Sequence, residues 1–158
     1  MTPEEIDNLP YRPCVGVVVL NDDGQIFGGE RIDTPGAWQM PQGGIDKGES
    51  ARDAALRELV EETSIPAVAV AIVGESAGWL RYDLPAEVIP HRWQGRYRGQ
   101  EQKWFLMQFS GQDSDVRIDT VDPEFSRWQW MSSEEMLESI VPFKRSLYAD
   151  VFREFNLS

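Results

Sequence analysis

Three glutamates, Glu58, Glu61 and Glu62, fall at relative positions i, i+3 and i+4. On a helix that spacing puts the three carboxylates on one face, with Leu56, Leu59, Val60 and Thr63 free to be buried on roughly the opposite one. Like charges this close repel, and each helical pair is mildly destabilising without a counterion. A hard divalent cation such as Mg2+, which prefers oxygen ligands, resolves that conflict. The plainer alternative is a wet helix face, where glutamate usually sits.

The context around the cluster is more specific. Gly43 is followed by five residues, then Glu49, then seven more, then Arg57-Glu58-Leu59-Val60-Glu61-Glu62-Thr63-Ser64-Ile65. In all its charged positions this run resembles the Nudix box. Ser64 departs from the pattern, because the family usually has glycine there to close the helix in a left-handed conformation. Ser64 therefore reads as an altered helix cap that leaves the carboxylates in place. The resemblance implies that Glu58, Glu61 and Glu62 bind the metal, helped by the Gly43 carbonyl, with Mg2+ as the expected ion and Mn2+ or another divalent cation as a substitute. It also implies that Arg57 pairs with Glu49 and holds the loop against the helix. The proton acceptor varies across the family; Glu62 is the choice here, with Glu58 and Arg57 supporting it. A cation so held bridges phosphate oxygens, offsets developing charge and acidifies a bound water for attack at phosphorus.

Outside the box, six segments look like the bacterial RNA pyrophosphohydrolase family, which overlaps with dinucleoside polyphosphate hydrolases. They are Tyr11-Arg12-Pro13, Trp38 to Gly44, Trp79 to Tyr82, Gln100 to Phe105, Pro123-Glu124-Phe125 and Phe143-Lys144-Arg145. The resemblance implies conversion of 5′-triphosphate or 5′-diphosphate RNA ends to monophosphate, which promotes mRNA decay. The alternative substrate is a dinucleoside polyphosphate such as diadenosine tetraphosphate. Residue by residue, it implies that Glu124 is a further metal ligand from a loop opposite the helix. Arg31 and Phe143 would flank a base, while Arg12, Tyr82, Gln100 and Lys144 contact phosphates or position water. The chemistry agrees: guanidinium and aromatic faces stack on bases, and lysine or tyrosine engages phosphate oxygens. Read without the resemblance, Phe143 passes as core, Tyr82 as a strand aromatic, Arg31 as a hairpin charge and Glu124 as an exposed loop acid.

Two rival classes are weighed against this reading. Gly74-Glu75-Ser76-Ala77-Gly78 matches the serine-hydrolase nucleophile elbow, which requires a helix directly after the serine and a later acid and histidine. Trp79 to Pro85 reads instead as strand, and the sole histidine, His91, sits close behind in a basic loop. The second rival is a non-catalytic nucleotide-binding module, a fate that replaces box carboxylates; here every one remains.

The elements that must position these residues follow from pattern. Cys14 to Leu20 and Gln25 to Glu30 flank Asn21-Asp22-Asp23-Gly24, which reads as a β-hairpin. Gly36 to Gly48 reads as loop. Ser50-Ala51-Arg52-Asp53 has capping-box spacing, with aspartate for glutamate, and opens a helix to about Thr63 that Pro66 stops. Val68 to Val73, Trp79 to Leu84, Lys103 to Phe109 and Arg127 to Met131 are strand candidates. Ser132 or Ser133 caps a short helix. Pro142 opens an amphipathic C-terminal helix carrying Phe143, Leu147, Tyr148, Val151, Phe152 and Phe155. The sum is an α/β (α+β) architecture, a mixed β-sheet sandwiched between helices as in the Nudix fold, expected as one domain over residues 1–158.

Composition bounds the rest. With 158 residues, 41% of them hydrophobic, one core is expected. No apolar run reaches membrane-spanning length and the N-terminus lacks signal-peptide features, so no membrane association and a cytoplasmic location are expected. Cys14, within an apolar run, reads as a small buried residue. The net charge of −12 argues against broad binding to double-stranded DNA. RNA must instead meet a local cationic patch, and His91, Arg92, Arg96, Arg98 and Lys103 supply one candidate, unless that stretch is simply a solvated loop.

Overall fold

A computed structural model describes residues 1–157. Two long strands form the spine: β1 (Tyr11–Leu20) and β7 (Gly99–Phe109) run parallel, in register from Tyr11 opposite Gly99 to Leu20 opposite Gln108. Four further strands branch from them. Beside β1, β2 (Ile26–Arg31) meets only its end, where Leu20 faces Ile26. β4 (Gln42–Gly44) takes the earlier half antiparallel, with Cys14 opposite Gly44. Beside β7, β5 (Val70–Glu75) and β6 (Leu80–Asp83) likewise divide its length. β3 (Trp38–Gln39) and β8 (Phe125–Met131) pair with β2.

The hairpin expectation therefore holds at the turn and fails beyond it. Gln25 and Asn21 close the turn through the Asn21 N–H to Gln25 carbonyl bond of 3.0 Å, and the Asn21 side chain accepts from the N–H groups of Asp23 and Gln25. Past that point β1 is claimed by β4 and β7, and β2 by β3 and β8. Similarly, the Gly36 to Gly48 loop contains β3 and β4, too short for a periodic signal.

Helices cover both faces. α1 (Pro3–Asp7) is a single turn with a full capping box between Thr2 and Glu5, which the sequence reading passed over. α2 (Ala51–Thr63) lies on one face, and α3 (Ser133–Ser139) and α4 (Arg145–Glu154) on the other. Alternation along β1 sends Val15, Val17 and Val19 under α2, with Leu59, Phe105 and Met107. Val18, Met40 and Trp104 go under α4, with Leu147, Tyr148, Val151 and Phe152. Truncating one of these fully buried side chains to alanine costs about 2–5 kcal/mol. Gly16 is obligatory in β1, because a Cβ there would collide with the Trp104 indole.

Both ends of α2 bear on the site. Ser50 caps the start by accepting the Asp53 N–H at 3.1 Å. The reciprocal half of a box is absent; Glu49 instead accepts the Asp46 N–H just upstream. Ser64 closes the helix in the left-handed region at φ 65°, as the glycine it replaces would. The hydroxyl offsets the strain by donating to the Arg117 carbonyl at 2.9 Å. The expected buried face needs one correction: Val60 is 44% exposed, while Glu62 is 5% exposed. The carboxylate face of α2 packs against β4, so Glu62 goes inward and Val60 is left at the cleft mouth.

Candidate active site

A cleft of about 830 Å³ opens between α2, β4, the loop before β8 and the start of α4. Its chemistry is divided. Its lining falls into two charge groups: Glu58, Glu61, Glu62, Asp122 and Glu124, among which Glu58, Glu124 and Glu61 crowd Glu62, and Arg12, Arg31, Arg92 and Lys144, where Arg31 and Arg92 bear on the lysine.

Arg57 organises the acidic group. Its Nε and Nη2 grip both oxygens of Glu49 at 2.8 and 2.9 Å, and Nη2 also donates to the Gly44 carbonyl at 2.8 Å. Nη1 reaches Glu58 at 2.9 Å and Glu61 at 3.2 Å. One planar guanidinium thus ties the loop, β4 and two cleft carboxylates together, as only a forked donor can. The same contact pulls the Glu49 carboxyl down to about 2.

Glu58 and Glu62 have the opposite problem. Burial raises the Glu62 carboxyl well above its ordinary range, and the negative charges of Glu58 and Glu124 push it further; a single Gln42 N–H at 3.1 Å opposes them. Burial also raises Glu58, with Arg57 pulling the other way. Buried carboxylates that repel one another without a compensating cation are the donor set a divalent ion fits. Gly43 supports the fit, since a Cβ there would collide with the Glu58 carboxylate; the backbone and that side chain share one space. Among the described residues, no three acidic, histidine or cysteine side chains close around one point as they stand. Glu61 is the reason at hand: its side chain is 56% exposed and turned onto Arg57. Glu124 reaches the cleft from the loop ahead of β8, held there by its carbonyl, which accepts the Ile32 N–H at 3.0 Å.

In the cationic group Arg31 is almost buried, pinned by two bonds to Asp33 at 2.8 and 2.6 Å and one to Gln39 at 3.4 Å. Arg12, Arg92 and Lys144 belong to no ion pair among the described residues. Lys144 is 3% exposed, and its ammonium is pulled down to about 7, chiefly by burial and then by the charges of Arg31 and Arg92. Its Nζ lies 5.3 Å from the centre of the Tyr82 ring. Tyr82 is buried on the wall, and burial raises its phenol. Gln100 is also on the wall. Phe143 packs on Tyr82 at 5.8 Å between ring centres and is not part of the wall.

Some wall residues were not singled out from the sequence. Gln42 is one, joined behind the wall to Gln102: Trp104 Nε1 donates to Gln102, whose amide donates to Gln100 at 2.6 Å and to Gln42 at 3.1 Å. Gln100, Gln102 and Trp104 alternate along β7, a local spacing that sets them on one face, and only the link to Gln42 on β4 depends on the fold. Trp93 and Thr120 were likewise passed over. Thr120 Oγ1 is the one buried side-chain polar atom without a hydrogen-bond partner among the described residues. Of the basic stretch, Arg92 alone reaches the cleft; Arg98 is paired with Asp83 at 2.8 Å and Lys103 with Glu75 at 3.4 Å. Ser76 is no nucleophile: it is buried, accepts the Trp104 N–H at 3.0 Å, donates to the Gly78 carbonyl, and is followed by β6 with no intervening helix. Cys14 is fully buried, which raises its thiol to about 11.

The geometry agrees with comparison to known proteins. The NUDIX domain family matches residues 10–151. The RNA pyrophosphohydrolase of Roseobacter denitrificans is 56% identical over 156 residues, 98% of each chain, and that of Dinoroseobacter shibae is 54% identical over 99% of this chain and 98% of its own. Among solved structures, the E. coli dihydroneopterin triphosphate pyrophosphohydrolase superposes with a TM-score of 0.70 at 20% identity, covering 93% of this chain and 99% of its own. A C. elegans Ap4A hydrolase binary complex gives 0.67 at 22%, covering 92% and 95%. With its box intact, its cleft built on that box and its relatives similar from end to end, this chain belongs to the Nudix hydrolase family.

Proposed function

We propose that the chain is a Mg2+-dependent RNA 5′-pyrophosphohydrolase, converting 5′-triphosphate or 5′-diphosphate RNA ends to 5′-monophosphate. The observation that carries the reading is full-length identity above 50% to RNA pyrophosphohydrolases, joined to a cleft lined by carboxylates and by the cations Arg12, Arg92 and Lys144, which are in no ion pair among the described residues. Nudix hydrolases generally use divalent cations. Glu58, Glu61, Glu62, Glu124 and the Gly43 carbonyl would hold the ion here, which requires Glu61 to leave Arg57. When bound, Mg2+ supplies Lewis-acid stabilisation of the phosphates and a more acidic water.

The chain's own residues do the rest. Glu62 spends Oε2 on the Gln42 N–H, which fixes the carboxylate plane and leaves Oε1 to take the proton of the attacking water. Water adds to phosphorus, the anhydride oxygen leaves with its electron pair, and a triphosphate end yields pyrophosphate. Arg57 positions the loop and Glu58. Arg12 and Lys144 meet phosphate charge, Tyr82 and Gln100 orient the phosphates or water, and Arg31 faces a base. Phe143 acts through Tyr82 unless it turns into the cleft.

A side-by-side assay on 5′-triphosphate RNA and diadenosine tetraphosphate tests the substrate. Efficient release of pyrophosphate, or of phosphate in two steps, from the RNA is expected. Efficient turnover of the dinucleotide alone would contradict the RNA reading, and no turnover of any nucleoside polyphosphate would leave a binding module.

A further inference from the structure

One wall of the cleft is built by a turn that the chemistry above leaves without a role. The backbone takes three successive positive φ angles there, 46° at Trp93, 60° at Gln94 and 70° at Gly95. Glycine adopts such a conformation freely, whereas for a side chain as bulky as tryptophan it is an outlier. Strain of this kind persists where the surroundings hold a side chain in a required place. Here the turn delivers two adjacent side chains, Arg92 and Trp93, to the cleft.

Both are half-buried. Trp93 is backed by the core under α4 and met edge-on by Tyr97 at 6.1 Å. The Arg12 guanidinium lies 5.2 Å from its ring centre. The indole is therefore held from several sides yet half-exposed on the cleft wall, with the Arg12 cation over its ring. Arg92 has no carboxylate partner among the described residues, although the chain carries 27 acidic residues against 15 Lys and Arg. Its charge bears on Lys144 and Tyr82, so it belongs to the same cationic group of the cleft lining.

We infer that Arg92 and Trp93 form a nucleotide subsite, in which the indole stacks on one of the first two nucleobases of the RNA and the guanidinium holds an adjacent backbone phosphate. The inference rests on the RNA reading above. An indole face accepts any base, because every base has a π-face, and a guanidinium beside it suits a phosphate. The subsite supplies what the carboxylate end lacks: a grip on the nucleoside part of the substrate, which distinguishes an RNA end from free polyphosphate.

The test is a cycle between protein and substrate. Steady-state kinetics are measured for wild type, Trp93→Ala, Trp93→Leu and Trp93→Phe on 5′-triphosphate RNA, and on the same RNA made abasic at its first or its second nucleotide. Trp93→Ala is expected to raise KM about tenfold with kcat little changed, as loss of one base stack does. Trp93→Phe should keep most of the affinity and Trp93→Leu should not. On the RNA lacking the stacked base the penalty should vanish, which identifies the nucleotide. Arg92→Ala should lower the salt dependence of binding by about one phosphate contact. If Trp93→Ala does not fold, the Leu and Phe variants decide alone, since both keep apolar bulk and only one keeps a ring. Equal kinetics for Leu and Phe, or a penalty that persists on both abasic RNAs, would overturn the subsite while wild-type RNA turnover stands. A wild type that spares triphosphate RNA would overturn the substrate reading, and the subsite with it.

Discussion

The main-chain N–H of Gln42 donates to Glu62 Oε2 across 3.1 Å, the one hydrogen bond made to that buried carboxylate among the described residues. Strand β4 and helix α2 are joined at Glu62, the proton acceptor proposed above. Glu62→Gln keeps the shape and removes the basicity. In hydrolysis of triphosphate RNA it is expected to lower kcat by about 10³-fold with KM close to wild type. In metal-free buffer the variant should melt at a higher temperature than wild type, because a buried uncompensated charge is gone. Adding Mg2+ should raise the melting temperature of wild type and barely move that of the variant.

Arg57 is expected to act as a fork and not merely as a charge. Arg57→Lys retains the cation but cannot span both oxygens of Glu49, the Gly44 carbonyl and Glu58 together. Activity should fall by about 10–100-fold, as for loss of a residue that orients metal ligands. An apparent Mg2+ affinity measured by calorimetry should weaken in step. Unchanged affinity would remove Arg57 from the role of positioning the site.

Lys144 makes the cleft sensitive to pH. Burial pulls the ammonium down to about 7 in the folded chain, against about 10.4 when unfolded. Between those values the unfolded chain binds more protons, so stability rises with pH across that window and the penalty of burying the charge is complete below about 7. Lys144→Met should therefore raise the melting temperature more at pH 6 than at pH 10. In catalysis the sign reverses. The charge that meets phosphate is lost as pH rises through 7, so the KM of wild type for triphosphate RNA should climb from pH 6 to 9. The variant should show a high and flatter KM.

Thr120 gives the plainest stability test. Its hydroxyl is buried without a partner, an arrangement that costs about 1–3 kcal/mol. Thr120→Val keeps the branched shape and removes the unsatisfied group. A rise in melting temperature of about 2–4 °C per kcal/mol relieved is expected by calorimetry; a fall would mean that the hydroxyl has a partner in solution.

Much of this was legible in the sequence, for reasons that individual residues make clear. The helix carrying the glutamates could be placed because Ser50 caps it, Pro66 stops it and the spacing of Glu58, Glu61 and Glu62 is local. The pairing of Arg57 with Glu49 could be expected because box residues sit at fixed separations. Position in depth could not. Glu62 is buried and Val60 exposed because β4 and not solvent covers the carboxylate face, and two residues of β4 are glycines with no periodic signal. Trp93 and the link from Gln102 to Gln42 escaped for the same reason, since their significance lies in contacts between distant segments. Phe143 was placed against a base, yet its ring rests on Tyr82.

The most direct test is diffraction from crystals soaked with Mn2+ and a non-hydrolysable triphosphate analogue, using manganese anomalous scattering. The expected result is an anomalous peak bounded by Glu58, Glu62 and the Gly43 carbonyl, with Glu61 swung away from Arg57 toward it. Anomalous density elsewhere, with Glu61 still on Arg57 and that space filled by water, would contradict the assignment of these carboxylates to a divalent ion.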